Sequence, residues 1–145
     1  MSKIYVLNGP NLNLLGSREP EVYGTLSLEE ITKTLTVSAA QLGVEVSCHQ
    51  TNSEDQLIQW LHQAFKEKAN VILNPAAFTH YSYALRDACA VLTTSGQKLI
   101  EVHLTNPHAR EAFRHTSVIS AVATGVIAGF GVDSYLLALE QLARH

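Results

Sequence analysis

The chain of 145 residues predicts a doubly wound α/β domain, and three observations carry that prediction. Short apolar, β-rich runs recur five times along it. Segments whose apolar residues repeat at helical spacing separate those runs. No internal repeat, low-complexity tract or Pro/Ser-rich linker interrupts the alternation, so a single domain spans residues 1–145. Strands that alternate with helices imply right-handed crossovers and a mostly parallel sheet. Five strands with helices on both faces make a flavodoxin-like sheet of order 2-1-3-4-5.

The strands are Ile4–Asn8, Val44–Gln50, Asn70–Asn74, Lys98–Leu104 and a last one near Thr124–Ala128. The second alternates in period two, as a half-buried strand does. The first helix opens on Ser27-Leu28-Glu29-Glu30, a capping box in which Ser27 caps the helix and Glu30 reaches back. Leu28, Ile31, Leu35 and Leu42 then share a face, and Gly43 stops the helix. Ser53-Glu54-Asp55-Gln56 repeats the same logic before Leu57, Ile58, Leu61 and Phe65. A third helix runs from about His80 to Thr93, with Gly96 beyond it. Asn106-Pro107 reads as the cap and first residue of a short fourth helix, and Asp133–Ala143 as the last helix.

Composition narrows the function. Charged residues are 16% of the chain against about 25% in typical soluble proteins, which fits a subunit that hides surface in an oligomer. Net charge is −3 and there is no basic run, so nucleic acid and anionic membrane partners have no electrostatic footprint. No apolar stretch approaches the ~18 residues of a transmembrane helix. The segment Met1–Asn8 has the layout of a strand rather than a signal peptide. Cys48 and Cys89 show no Cys-x-x-Cys spacing, and the expectation is two free, buried thiols in a reducing cytoplasm.

Ligands of doubly wound folds sit beyond the carboxyl ends of the strands, which directs attention to the residues after Leu7, Gln50, Leu73 and Val102. The first of these segments is far longer than the two to six residues of an ordinary βα loop. Such length at a binding edge suits a lid, here about residues 17–25. Its spacing matches neither a dinucleotide fingerprint nor a phosphate loop. Asn74 closes the third strand and is either a ligand contact or an ordinary turn residue before Pro75. His80 is equally open between a contact and a helix-start residue. Glu101 and His103 are two apart on one strand and share a face, so they are either a structural pair or a carboxylate that orients the imidazole and favours its charged form. The backbone N–H groups of Leu104 and Thr105, with the positive end of the helix after them, suit an anion. Arg114, one short helix further, is either within reach of such an anion or an ordinary solvated surface arginine.

Three blocks taken together are more specific. Asn8-Gly9-Pro10-Asn11-Leu12-Asn13-Leu14-Leu15-Gly16 is followed by Arg18-Glu19-Pro20 and Tyr23-Gly24. Asn74-Pro75-Ala76-Ala77-Phe78-Thr79-His80 is followed by Asp87, and Glu101-Val102-His103-Leu104-Thr105-Asn106 by Arg114. In this order and over the whole chain, they resemble the type II 3-dehydroquinate dehydratases. The second strand departs slightly, ending in His49-Gln50-Thr51-Asn52 where members more often carry Gln-Ser-Asn.

The resemblance implies an enzyme that dehydrates 3-dehydroquinate to 3-dehydroshikimate through an enolate, with no metal, cofactor or covalent intermediate. It implies Tyr23 as the proton acceptor, Arg18 as stabiliser of the tyrosinate and transition state, and His103 as the proton donor oriented by Glu101. Asn13 would help hold a water at the enolate. Asn74, His80, Arg114 and the backbone of Leu104 and Thr105 would bind substrate, with Asp87 completing a neighbouring subunit's pocket. It also implies a cytoplasmic homododecamer built from trimers, serving chorismate and aromatic amino acid biosynthesis or quinate breakdown. The residues agree on one point of chemistry. Lys3, Lys33, Lys66, Lys68 and Lys98 all lie outside the three blocks, so an iminium route has no candidate lysine. A phosphoacceptor module of the same fold would need acidic strand ends, where Asn8, Asn74 and His103 stand instead. A non-enzymatic assembly protein is the other alternative.

Overall fold

The computed structural model describes residues 2–17 and 19–144. Arg18 therefore lies outside the described residues. Five parallel strands form one sheet in the order β2-β1-β3-β4-β5: β1 Lys3–Asn8, β2 Glu45–Gln50, β3 Asn70–Asn74, β4 Leu99–His103 and β5 Gly125–Ala128. The fold class and strand order are those the alternation predicts.

Both faces of the central strands are buried, as parallel sheets require. Ile4, Val6, Ile72, Ile100 and Val102 point to one face, where α2 (Leu28–Gln41) and α5 (Val132–Ala143) cover them. Tyr5, Leu7, Val71, Leu73 and Leu99 point to the other, under α3 (Glu54–Glu67) and α4 (Tyr83–Thr94). The capping box at Ser27 and Glu30 forms in full. At Ser53 only its forward half forms among the described residues, the side chain accepting from the Gln56 N–H. No helix among the described residues is long and apolar enough to cross a membrane.

Four sequence expectations need correction. Leu42 and Phe65 are exposed rather than core, because the helices turn Ala39 and Ala64 inward at those turns. The third helix does not begin at His80. Residues Ala76–His80 form a 3-10 turn, and α4 starts after Ser82, whose side chain accepts from the Leu85 N–H. The Asn106-Pro107 helix is a three-residue 3-10 turn, Pro107–Ala109, too short for a useful dipole. Cys89 is buried, but Cys48 is only partly so; both are free, and burial pushes their thiols up, to about 12 and about 11.

The long segment after β1 is not featureless. A 3-10 turn occupies Leu12–Leu14, and a one-turn helix, α1, occupies Pro20–Tyr23 with Pro20 at its start and Gly24 in the left-handed region after it. Gly9 is required by crowding: a Cβ there would lie 2.6 Å from the Pro75 carbonyl oxygen. The loops after β1 and β3 are thereby held together, with the Gly9 N–H donating to the Asn74 carbonyl at 2.8 Å.

Candidate active site

A cleft open to solvent at its mouth lies beyond the carboxyl ends of β1, β3 and β4. Tyr23, Asn74, His80, His103, Leu104, Thr105 and Arg114 all line it, so most of the residues singled out in sequence meet there. Asn11, Leu12 and Arg110 line it too. Asn13 sits beside the cleft rather than in its wall, exposed, and accepts from Gln50 Nε2 at 3.4 Å. Asp87 is on the outer surface of α4, paired with Arg86 at 3.0 Å and far from filling its own chain's cleft.

The polar residues of the floor are held rigidly. Asn8 and Asn74 are register partners at the ends of β1 and β3, and both are buried. Tyr135, reaching up from α5, donates its hydroxyl proton to Asn8 Oδ1 at 2.6 Å and accepts from Asn74 Nδ2 at 2.8 Å. Asn74 Oδ1 accepts from the Ala76 N–H at 3.1 Å. This arrangement sets the amide's orientation and leaves one Nδ2 proton for the cleft. Burial keeps the Tyr135 phenol protonated far above neutral pH.

On β4, His103 Nε2 lies 2.5 Å from Glu101 Oε2, and Glu101 is fully buried. Burial by itself pushes the Glu101 carboxyl up. The hydrogen bond and charge of His103, then the hydroxyls of Ser120 and Thr79, outweigh it and hold the group below its ordinary range. A carboxylate on Nε2 leaves Nδ1 as the second nitrogen of the ring. His80 is fixed in the opposite sense: its Nδ1 donates to the Thr116 carbonyl at 2.8 Å, leaving Nε2.

Arg110 is one of the cleft residues that sequence reasoning missed. Its Nη2 donates to the Tyr23 hydroxyl at 2.7 Å, and its Nη1 to Thr105 Oγ1 at 3.3 Å. Its guanidinium carbon is 5.0 Å from the Tyr23 ring centroid. One planar fork thus ties α1 to the loop after β4. Arg110 sits four residues before Arg114, but nothing in that spacing singles it out until the irregular β4–β5 connection is seen folded over the cleft. Arg114 is braced by Glu111 at 3.1 Å and stacks on Phe113. Arg110, rather than a helix dipole, brings positive charge beside Thr105.

Comparisons with known proteins identify the family. The family model described as dehydroquinase class II matches residues 2–143. The chain belongs to that family. It is 56% identical over 141 residues to a 3-dehydroquinate dehydratase of Salinispora tropica, covering 97% of this chain and 96% of that one. A 3-dehydroquinate dehydratase of Pelotomaculum thermopropionicum is 57% identical over 141 residues, with the same coverage of both chains. Among solved structures, the type II dehydroquinase of Propionibacterium acnes superposes with a TM-score of 0.95 at 46% identity, over 99% of this chain and 97% of the other. Membership of the class II dehydroquinases accounts for all three sequence blocks at once.

Proposed function

We propose that this chain dehydrates 3-dehydroquinate to 3-dehydroshikimate by anti elimination, with Tyr23 as the base and His103 as the acid. One observation carries the assignment of roles. The Tyr23 hydroxyl and the His103 imidazole face a single cleft, and each is held by its own charged partner, Arg110 and Glu101. The Tyr23 oxygen takes a proton from the carbon beside the substrate ketone, and the electron pair moves onto the ketone oxygen as an enolate. When the enolate collapses, the hydroxyl on the next carbon leaves with the His103 proton as water, and a conjugated double bond forms. Transfer of the abstracted proton back to His103 resets the site.

A phenol in water ionises only near pH 10, so a tyrosine base needs cations at its oxygen. Arg110 is one, and the resemblance assigns Arg18 the same task. Asn74, His80, Arg114 and the Leu104 and Thr105 backbone hold the substrate's hydroxyls and carboxylate; Asn13, which lies beside the cleft and not in its wall, would have to turn inward to hold an enolate-bound water. The segment at about 17–25 closes as a lid and brings Tyr23 to the substrate. In the assembled enzyme, twelve subunits built from trimers, Asp87 of one subunit reaches the site of the next. The protein works in the cytoplasm.

Purified protein mixed with 3-dehydroquinate is expected to generate the absorbance of the conjugated product. It should do so after exhaustive chelation, and borohydride with substrate should leave every lysine unmodified. No turnover, or a lysine adduct, overturns the reading. Sedimentation that shows an active monomer overturns the assembly.

A further inference from the structure

Glu101 is the only acidic residue buried among those described, and it lies on β4 between Leu73 of β3 and Val126 of β5. What surrounds it is unusual in one respect: besides His103, its hydrogen-bond donors are all neutral hydroxyls. Thr79 Oγ1 donates to Oε2 at 2.8 Å, and Ser120 Oγ to Oε1 at 2.7 Å. Ser117 Oγ lies 3.0 Å from Oε2 and 3.2 Å from Oε1, and 2.6 Å from Thr79 Oγ1. Each hydroxyl has one proton to give. Thr79 spends its proton on Glu101, so Ser117 donates either to Glu101 or to Thr79. In both cases Oε2 keeps two donors and Oε1 keeps Ser120.

The three hydroxyls come from two connections that meet over β4. Thr79 is fully buried in the 3-10 turn next to His80, and its carbonyl accepts from the Val118 N–H at 2.7 Å. Ser117 Oγ also accepts from the Ile119 and Ser120 N–H groups at 3.1 Å each, which sets the turn that aims Ser120 inward. Ile119 is fully buried and anchors that turn in the α4 side of the core.

We propose that Thr79, Ser117 and Ser120 are positioning residues that form a hydroxyl cage around Glu101 and direct its undivided negative charge onto His103. This rests on His103 being the acid. Hydroxyls replace the water that burial removes, so the carboxylate survives in the core, yet they carry no charge of their own. A lysine or arginine in their place would neutralise Glu101 and leave little field at the imidazole. Among the described residues, Arg114 is the one arginine lining the second cavity that Glu101 and His103 share, and it is engaged by Glu111 instead. The other titratable groups around Glu101 are Cys89 on α4 and, across the cavity, His80, His108 and His115.

The test uses Ser120→Ala and Thr79→Val, with Thr79→Ser as the conservative control. Each hydroxyl-deleting variant should lose roughly tenfold in kcat, with KM changed by less than about threefold. The alkaline limb of the kcat–pH profile should move down by about one unit, because a less well-solvated carboxylate holds the imidazolium less tightly. Thr79→Ser should restore both. In a His103→Ala background, Ser120→Ala should cost little more, since the cage acts through His103. Ser120 is only half-buried, so its variant keeps the test open if Thr79→Val fails to fold. An unmoved alkaline limb in folded Ser120→Ala, or equal losses with and without His103, overturns the cage. Normal turnover by His103→Ala alone would instead overturn the acid assignment, a separate failure.

Discussion

The two sides of the cleft are built in opposite ways. On one side His103 is the last residue of β4, in register with Ala128 of β5 and backed by a fully buried carboxylate with hydroxyls around it. On the other side Tyr23 ends a four-residue helix whose neighbours Val22 and Leu26 are exposed, and Arg110 reaches it from across the cleft. Four residues of helix do not hold themselves together in water. The proposed acid is therefore held by the sheet itself, whereas the proposed base sits on a one-turn segment tied by Arg110 to the loop after β4. A sheet edge suits the group that needs a fixed charge environment. A short external segment suits the group that must let substrate in and then exclude water.

Removing the docked side should produce the largest effect. Tyr23→Phe is expected to abolish nearly all turnover while substrate binding stays within about tenfold, because Asn74, Arg114 and the Leu104 and Thr105 amides remain. Steady-state kinetics beside calorimetric binding checks both halves, and near-normal kcat would remove Tyr23 as the base. His103→Ala should follow, with kcat lower by roughly 10²–10⁴-fold. Its melting temperature should be little changed if the residue serves chemistry, and clearly lowered with normal turnover per folded molecule if it serves only structure.

Arg110→Lys sharpens the comparison, since it touches the bridge between the two sides. An ammonium cannot bond Thr105 and Tyr23 together as the fork does. We expect roughly ten- to hundredfold less kcat/KM, with Tyr23→Phe and Arg110→Lys far from additive in the double variant. Additive losses would mean that Arg110 acts elsewhere.

The smallest effects should belong to stability. Tyr135→Phe leaves the Asn8 carbonyl and the Asn74 amide without their shared partner, at a cost of about 1–3 kcal/mol in urea unfolding. Glu101 supplies the pH dependence. Its carboxyl is held below its ordinary value of 4.5, so its contribution is complete above that pH and is lost as pH falls through the lower folded value. Unfolding below about pH 4.5 should therefore steepen with Glu101 and flatten in Glu101→Gln. Identical acid profiles would show that the carboxylate is not selectively stabilised in the fold.

Much of the site was legible because its residues stand at fixed distances from strand ends. Asn74 closes β3, and Glu101 and His103 share a face of β4 through period-two geometry alone. Tyr23 was legible only through the resemblance, since no periodicity points to a tyrosine inside an irregular segment. Arg110, Thr79, Ser117, Ser120 and Tyr135 were not legible at all. Each acts on a residue far away in the chain, as Tyr135 does on Asn8 with 127 positions between them. The Asn106-Pro107 cap misled for a related reason: it is a true cap, but of a single turn, because the chain must then fold back over β4.

By itself, then, the sequence determined the order of strands and helices, the two buried faces of the sheet, and which edge carries chemistry. Those follow from local spacing: period two, period 3.6, caps and turn residues, each read within a few positions. Only the tertiary structure decided which cation meets Tyr23, what surrounds Glu101, and how Asn74 is oriented. Those depend on side chains brought together by the β4–β5 connection and by α5, and a hydrogen bond between distant segments leaves no periodic trace in either of them.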